Sequence, residues 1–508
     1  MSENYNVLLL KRKGLLSIKE LTDRIKQQPH DSSSWERLGQ VFWEIGDRDM
    51  AEKIFSSYGD SLRHRVDIEI VPYSEDNDVL LNFAININEG SQTEIATLDI
   101  NGWVLGKHEP VQAVEIVLGD QLITRTPVCV PSHYAETSYP DVNWASNCGF
   151  RAMVYLLGMP FDFILTVFAL FRDDIRFPLA KLSVHRKAIS STFQPSLQPL
   201  MITSIGRTGT TRLMEFLNEH PSIVIHSNYP YEARVLGYCF HMLKNHFEVM
   251  NLSQQVNPHG YIKGQFGFHH PGTFKPIGYA NIDYQFHYWF NEIYTGEIIR
   301  ASQKSIEDFY RRIASLQEKK EAIFFAEKTF PAEIPPQVWE LYPKAKEIFL
   351  VRDFRDVVCS VLSFNRKREF TDFGRQCVKS DEEYISKQLK KSALKLLQSW
   401  KERADRAYLL HYERFILDPE RVLREILEYL GLDSSPSIIE AILKKALGYK
   451  DTFKVHSTSD SPLSSIGRWK EELGPELQSL CNDALGEILH EFGYAEDNNY
   501  QLLEEYGK

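Results

Sequence analysis

The chain has 508 residues, of which 43% are hydrophobic, 12% aromatic and 25% charged, and its length allows about three domains of roughly 150 residues each. That composition excludes a disordered, collagen-like or disulfide-scaffold protein. With 58 basic against 69 acidic residues and a net charge of -11, it also excludes a general nucleic-acid-coating protein, which needs a cationic footprint, while leaving room for local cationic pockets.

Near the N-terminus the longest apolar run is Val7 to Leu10, with basic residues after it. Neither a secretory leader nor a membrane anchor is expected from that pattern, and a cytoplasmic protein is. Ile18 to Gln28 places Leu21 and Ile25 on one face and meets Pro29, so it reads as a helix. Trp35, Leu38, Gly39, Phe42, Gly46, Ala51 and Phe55 then resemble one tetratricopeptide repeat. Stacked repeats need about three units to bury their cores, so this single hairpin is expected to pack on the domain that follows. Six scattered cysteines, none in C-x-x-C spacing, read as reduced thiols rather than a zinc site or a disulfide framework.

From Arg65 to Arg186 the hydrophobic period is two. Val66–Ile70, Val79–Ile87, Glu94–Val104, Ala113–Leu118, Phe150–Leu157, Phe163–Phe171 and Ala180–Val184 read as strands of an antiparallel β-sandwich. The most apolar stretch, Phe161 to Phe171, contains Asp162 and is flanked by Pro160 and Arg172, which marks a buried strand rather than a membrane span. Trp103, Tyr134 and Tyr139 suit either a carbohydrate-binding face or ordinary packing of the sandwich. Ala188 to Gln198 is polar, holds Pro195 and lacks a period, so it reads as a linker. Beyond it strands and helices alternate, the pattern of a three-layer α/β domain with a mainly parallel sheet. The expected organisation is therefore multidomain: a helical segment 1–62, a sandwich 63–187, a linker 188–198 and an α/β domain 199–508.

The α/β region opens with an apolar strand, Pro199 to Ser204, then Ile205-Gly206-Arg207-Thr208-Gly209-Thr210-Thr211, then a helix closed by His220-Pro221. A strand, a glycine-punctuated turn and a helix start build a nest of backbone N–H groups at the positive end of a helix dipole, which suits a phosphate. Thr210 and Thr211 add hydroxyls and Arg207 a cation. A nucleotide-kinase loop would have Lys where Thr210 stands and wider glycine spacing, so magnesium-ATP phosphotransfer is the lesser reading. A second strand, Glu347 to Val351, runs into Arg352-Asp353-Phe354-Arg355-Asp356, with Ser360 early in the next helix. Arg352 and Ser360 can converge on a further phosphate; alternatively Asp353, Arg355 and Asp356 make a salt-bridged helix start.

Together these loops resemble the sulfotransferase family, whose members move a sulfonate from 3'-phosphoadenosine 5'-phosphosulfate (PAPS) to an acceptor. Arg207-Thr208-Gly209-Thr210-Thr211 matches the family's 5'-phosphosulfate loop, and Arg352 with Ser360 its 3'-phosphate site. The likeness continues through Tyr408–Phe415, Asp418-Pro419-Glu420, Leu427–Leu432 and Ser465–Lys470. It implies PAPS as co-substrate, adenosine 3',5'-bisphosphate as product, no metal requirement, and a hydroxyl or amine of a glycan, lipid or small metabolite as acceptor. The resemblance assigns Gly206, Arg207, Thr208, Gly209, Thr210, Thr211, Arg352, Ser360, Tyr412 and Arg468 to the donor, with Ser465 and Lys470 as further candidates. Lys328, at the end of the strand Ala322–Thr329, and Arg207 would stabilise the leaving phosphate. Phe330 stands where small-phenol sulfotransferases carry their His. Glu232 in Glu232-Ala233-Arg234, similar to the Glu-x-Arg of protein-tyrosine sulfotransferases, is therefore the expected base, with His226, His269 and His270 as reserves. Tyr284, Phe286, Tyr288, Trp289 and Phe290 are candidates for an acceptor pocket or for helix packing, and Trp469 for the core or an adenine stack. An inert α/β domain on a binding scaffold is the remaining alternative.

Overall fold

The computed structural model describes residues 18–27, single positions between 34 and 54, and residues 64–71, 78–87, 90–92, 96–186, 188–189, 191–247, 294–331, 334–369, 373–375, 378–448, 458–459 and 461–494. The chain divides into two compact units, residues 1–193 with 239–303, and residues 194–238 with 304–508.

In the first unit, α1 (Ile18–Gln27) buries Leu21 and Ile25 together with Leu38, Val41 and Ile54. Of the repeat-like motif, Leu38, Gly39 and Phe42 are described, while Trp35, Gly46, Ala51 and Phe55 lie outside the described residues. Nine strands follow among the described residues: β1 (His64–Ile70), β2 (Leu80–Asn86), β3 (Gly90–Gln92), β4 (Thr97–Gly106), β5 (Ala113–Leu118), β6 (Gln121–Pro127), β7 (Gly149–Tyr155), β8 (Asp162–Leu170) and β9 (Arg176–His185). They form a six-stranded sheet in the order β3-β1-β9-β8-β5-β6 and a three-stranded sheet in the order β2-β4-β7. Every pairing in them is antiparallel. Ile116, Leu165, Val167 and Leu182 of the larger sheet share one core with Ile100, Val104, Ala152 and Val154 of the smaller. In β8 the residues Phe163, Leu165, Val167 and Ala169 are buried in alternation, the period-two pattern of a strand.

Among the described residues β3, β6 and a short helix of this unit escape the sequence reading, which takes Asn88-Glu89-Gly90 as a turn. β6 pairs with β5 through a hairpin at Gly119-Asp120, where Gly119 takes φ 57°; Leu122 and Ile123 are adjacent, so Gln121–Pro127 lacks clean alternation. The short helix α2 (His133–Ser138) is capped by Ser132, whose hydroxyl accepts from the Ala135 amide at 3.3 Å. Trp103 is buried beside Ala135, Ala145 and Cys148, with Tyr134 and Tyr139 ring centroids 5.8 and 5.9 Å away. Of the three aromatics Tyr134 alone is exposed, so the tryptophan serves packing.

The second unit is a parallel α/β domain. Its strands β10 (Gln198–Thr203), β11 (Ile223–Val224), β12 (Phe324–Thr329), β13 (Lys346–Val351) and β14 (Tyr408–His411) pair in the order β11-β12-β10-β13-β14. They are near-continuous apolar runs because both sheet faces are covered. Leu200, Ile202, Phe324, Ile348 and Leu410 pack with α3 (Thr210–Asn218), while Phe349 and Val351 pack in a separate core. The helix α4 (Val235–Phe247) begins in this unit and α5 (Thr295–Leu316) ends in it, and α6 (Phe354–Arg368) and α7 (Lys390–Arg403) follow in chain order. Fully buried Glu347 ties the sheet together, accepting from Thr203, from Trp339 Nε1 at 3.0 Å and from Arg403 Nε at 3.0 Å. β10 is central, with β12 on one side and β13 on the other. The chain therefore reverses its direction of growth across β10, and the crevice beyond the carboxyl ends of these three strands is where an open α/β sheet places its ligand. Among the described residues no helix is long and apolar enough to cross a membrane.

Candidate functional site

The loop after β10 is built from its own residues. Ser204 donates to the Leu350 carbonyl at 2.7 Å, fastening β10 to β13, and buried Thr208 donates to the Ile205 carbonyl at 3.1 Å. The Thr208 hydroxyl thus shapes the loop. Gly209 stands at φ 94° just ahead of α3, and a Cβ there would lie 2.4 Å from Tyr412 Cδ2. Only glycine meets both conditions. Gly206 is different: among the described residues a Cβ there would meet no atom within 4 Å beyond its chain neighbours. Among the described residues no side chain caps α3. Its first amides, at Thr210 and Thr211, therefore carry the orphan donors and positive dipole end that an anion satisfies.

The loop after β13 is organised otherwise. Asp353 caps α6, accepting from the Arg355 amide at 2.9 Å and chelating the buried Arg355 guanidinium, so this helix start is already satisfied. Asp356, pushed up to about 6 chiefly by burial, accepts from the Gly467 and Trp469 amides at 2.7 and 3.1 Å. Asp356 thus holds the backbone of 467–469 in place, and the salt-bridged helix start of Asp353 and Arg355 is buried. Trp469 lies in the core under the Arg355 guanidinium, 3.9 Å from its ring centroid. Lys470 is exposed.

Three arginines meet between these loops. Arg352, 4% exposed, donates to the carbonyls of Arg207 at 3.2 Å and Ser465 at 2.5 Å, and lies 4.6 Å over the Tyr412 ring. Its buried Nε has no hydrogen-bond partner among the described residues. Arg207 turns to the second loop, donating from Nε to Ser360 Oγ at 3.1 Å above the Phe364 ring. Burial, and secondarily the Arg352 charge, lowers its pKa to about 10. Arg468 donates to Thr458 and forms a two-point pair with Glu472 at 2.6 and 2.8 Å. Tyr412 shares a hydrogen bond with Ser465 Oγ at 2.9 Å, so its ring spaces Gly209 from Arg352. Glu472 pairs with Arg468 and Asp356 lies within the field of Arg352, and three guanidiniums with an unmet Nε among the described residues make a site that an anion would stabilise.

At the end of β12 Lys328, 8% exposed, donates to Thr211 Oγ1 at 2.9 Å, to the Pro230 carbonyl at 2.6 Å and to Glu232 Oε1 at 3.3 Å. Burial lowers its pKa, with Glu232 pulling the other way. Glu232 also accepts from Arg234 at 3.1 Å, and Arg234 stacks 4.9 Å over Phe330. The structure thus brings Thr211, Lys328 and Glu232 together. It places Arg207 with the second loop.

Sequence reasoning missed two carboxylates. Glu215, 3% exposed on α3, has an Oε2 without a partner among the described residues and is pushed up to about 7 by burial. The four-residue step from Thr211 puts it on the same helix face, which is the signal the sequence held. Glu327, next to Lys328, is buried and carries no such signal. His220 is structural, its Nδ1 accepting from the Ser222 amide at 3.1 Å, and His226 stacks on Phe309. His269, His270, Tyr284, Phe286, Tyr288, Trp289 and Phe290 lie outside the described residues.

A parallel sheet with an uncapped helix start, a cationic cluster and a lysine–carboxylate pair at its carboxyl edge defines an α/β domain of the phosphate-loop type. Residues 199–436 match the family model of the sulfotransferase family, and this stretch is a sulfotransferase-family domain. A protein-tyrosine sulfotransferase of Drosophila melanogaster is 28% identical over 185 residues, covering 34% of each chain. The chain thus spans about a third of the length of that curated relative. Among solved structures, a mouse sulfotransferase complexed with PAP is similar at 13% identity, covering 59% of this chain and 86% of that one with a TM-score of 0.33. A Mycobacterium avium sulfotransferase follows at 14% identity, 60% and 79% coverage, and a TM-score of 0.31.

Proposed function

We propose that the chain is a PAPS-dependent sulfotransferase, acting on a hydroxyl or amine of a glycan, lipid or small metabolite. The observation that carries this reading is the meeting of Lys328 with both Thr211, at the start of the uncapped helix, and Glu232. In this reading Gly206 to Thr211 hold the 5'-phosphosulfate through backbone amides. Arg352, Arg207, Ser360 and Arg468 hold the 3'-phosphate, and Tyr412 keeps the two loops apart. The open space beside Gly206 and the unmet Arg352 Nε support it.

Transfer forms a bond from the acceptor oxygen to sulfur as the sulfur–oxygen bond to the 5'-phosphate breaks. Glu232 would take the acceptor's proton, and Lys328 would swing the N–H that it donates to Thr211 Oγ1 onto the leaving phosphate oxygen. Lys328 and the loop amides supply the positive charge, so the reading requires no metal. Residues 1–62, 63–187 and 188–198 are proposed as helical segment, sandwich and linker ahead of a transfer domain in 199–508, and the protein as cytoplasmic. The test is release of adenosine 3',5'-bisphosphate from PAPS across a panel of hydroxylated metabolites, glycans and tyrosine peptides, with the Lys328→Ala variant beside wild type. Release that needs Lys328 supports transfer; equal release by both proteins removes Lys328 from the chemistry.

A further inference from the structure

The loop carrying Glu232 leads directly into α4, whose first-turn amides need acceptors. Glu232 does not supply them, being engaged by Lys328 and Arg234. The acceptor comes from the neighbouring strand: Glu327, 3% exposed, takes the Leu236 amide at 2.8 Å; burial pushes its carboxyl up to about 7, while the amides of Leu236, Gly237 and Val235 pull the other way. Tyr310 of α5 donates to the same carboxylate, and its ring stacks on Phe325 with centroids 4.2 Å apart. Phe325 and Glu327 share one face of β12, as residues two apart in a strand do, while Lys328 faces the other way, toward Thr211.

We propose that Glu327 is a positioning residue, holding the start of α4 so that the preceding loop sets Glu232 against Lys328. This rests on the roles given above to Lys328 and Glu232. Two consecutive residues of β12 then secure both ends of one loop: Lys328 binds it at Pro230 and Glu232, and Glu327 binds it at Leu236. The pairing of Met201 with Glu327 and of Ile202 with Lys328 fixes both anchors against β10, from which the phosphate loop departs. Loss of the Glu327 carboxylate therefore displaces Glu232 while leaving the phosphate loop where it is.

The test uses the full chain as wild type, Glu327→Ala, Glu327→Gln and Tyr310→Phe. The reactivity of the Lys328 amine is read by competitive acetic anhydride labelling and mass spectrometry, with amide exchange of residues 229–238 beside it. Glu327→Ala is expected to speed Lys328 labelling about fivefold, the equivalent of one hydrogen bond, and to raise exchange across 229–238. Glu327→Gln, which keeps an oxygen for the Leu236 amide, is expected to restore both. In a Glu232→Gln background Glu327→Ala should add no further labelling, because it acts through Glu232. Unchanged labelling and exchange in Glu327→Ala overturns the proposal, as does failure of Glu327→Gln to restore them. If Glu327→Ala does not fold, Tyr310→Phe, which removes one donor to the carboxylate, decides by the same readouts: faster labelling supports the role and wild-type labelling overturns it. A thermal shift of wild type with adenosine 3',5'-bisphosphate is run in parallel. Its absence refutes the donor reading separately, since the labelling comparison needs no nucleotide.

Discussion

The two glycines of the phosphate loop separate fold from function in one pair of variants. Gly209→Ala puts a methyl 2.4 Å from Tyr412 Cδ2 at φ 94°. The left-handed backbone costs about 1–2 kcal/mol for a residue with a Cβ, and forced overpacking about 1–3 kcal/mol more. A loss of about 2–5 kcal/mol in urea unfolding is therefore expected. Measured against Tyr412→Ala alone, adding Gly209→Ala should cost only the backbone part. Gly206→Ala meets no protein atom and needs no positive φ, so its stability should stay within about 0.5 kcal/mol of wild type. Its methyl nevertheless enters the space assigned to the 5'-phosphate, so the affinity for adenosine 3',5'-bisphosphate, read by calorimetry, should fall at least about tenfold. Wild-type affinity in a stably folded Gly206→Ala would refute the assignment of that space. Wild-type stability of Gly209→Ala would refute the account of the loop.

Other expectations follow from the same geometry. Lys328→Ala should lower kcat by about 100-fold or more while nucleotide binding persists, as steady-state kinetics with calorimetry would show. Ser360→Ala removes the acceptor for Arg207 Nε and should chiefly weaken nucleotide binding, leaving kcat nearly unchanged. Burial pushes the Glu215 carboxyl from its ordinary 4.5 up to about 7 in the folded state. Both states are protonated below that lower value, and above pH 7 the buried carboxylate is ionised at a cost. Wild type should therefore lose stability relative to Glu215→Gln as pH rises from about 4.5 to 7, with no gap at pH 4; a gap that widens toward acid pH in urea unfolding contradicts this.

The segments that build the site were legible because their signals are local. Glycines at fixed offsets after an apolar strand, Arg352 at a strand end and Lys328 at another are all read within a few residues, and the parallel sheet brings these ends together. What was not legible depends on partners distant in sequence. The Arg207 guanidinium is directed by Ser360 and Phe364, more than a hundred residues away. Glu327 caps a helix of another segment, and nothing in Glu-Lys-Thr distinguishes a capping glutamate from a solvated one. β6 was missed because its apolar residues are adjacent rather than alternating, although Gly119-Asp120 marks its hairpin.

The central claim is a bisphosphate site made by two loops across β10, and calorimetric titration of adenosine 3',5'-bisphosphate into wild type and Arg352→Ala tests it most directly. The account predicts one molecule bound per chain without added magnesium, an affinity that falls at least about tenfold in Arg352→Ala, and no comparable binding of ATP with magnesium. Equal affinity in the two proteins, or binding of magnesium-ATP alone, would contradict it.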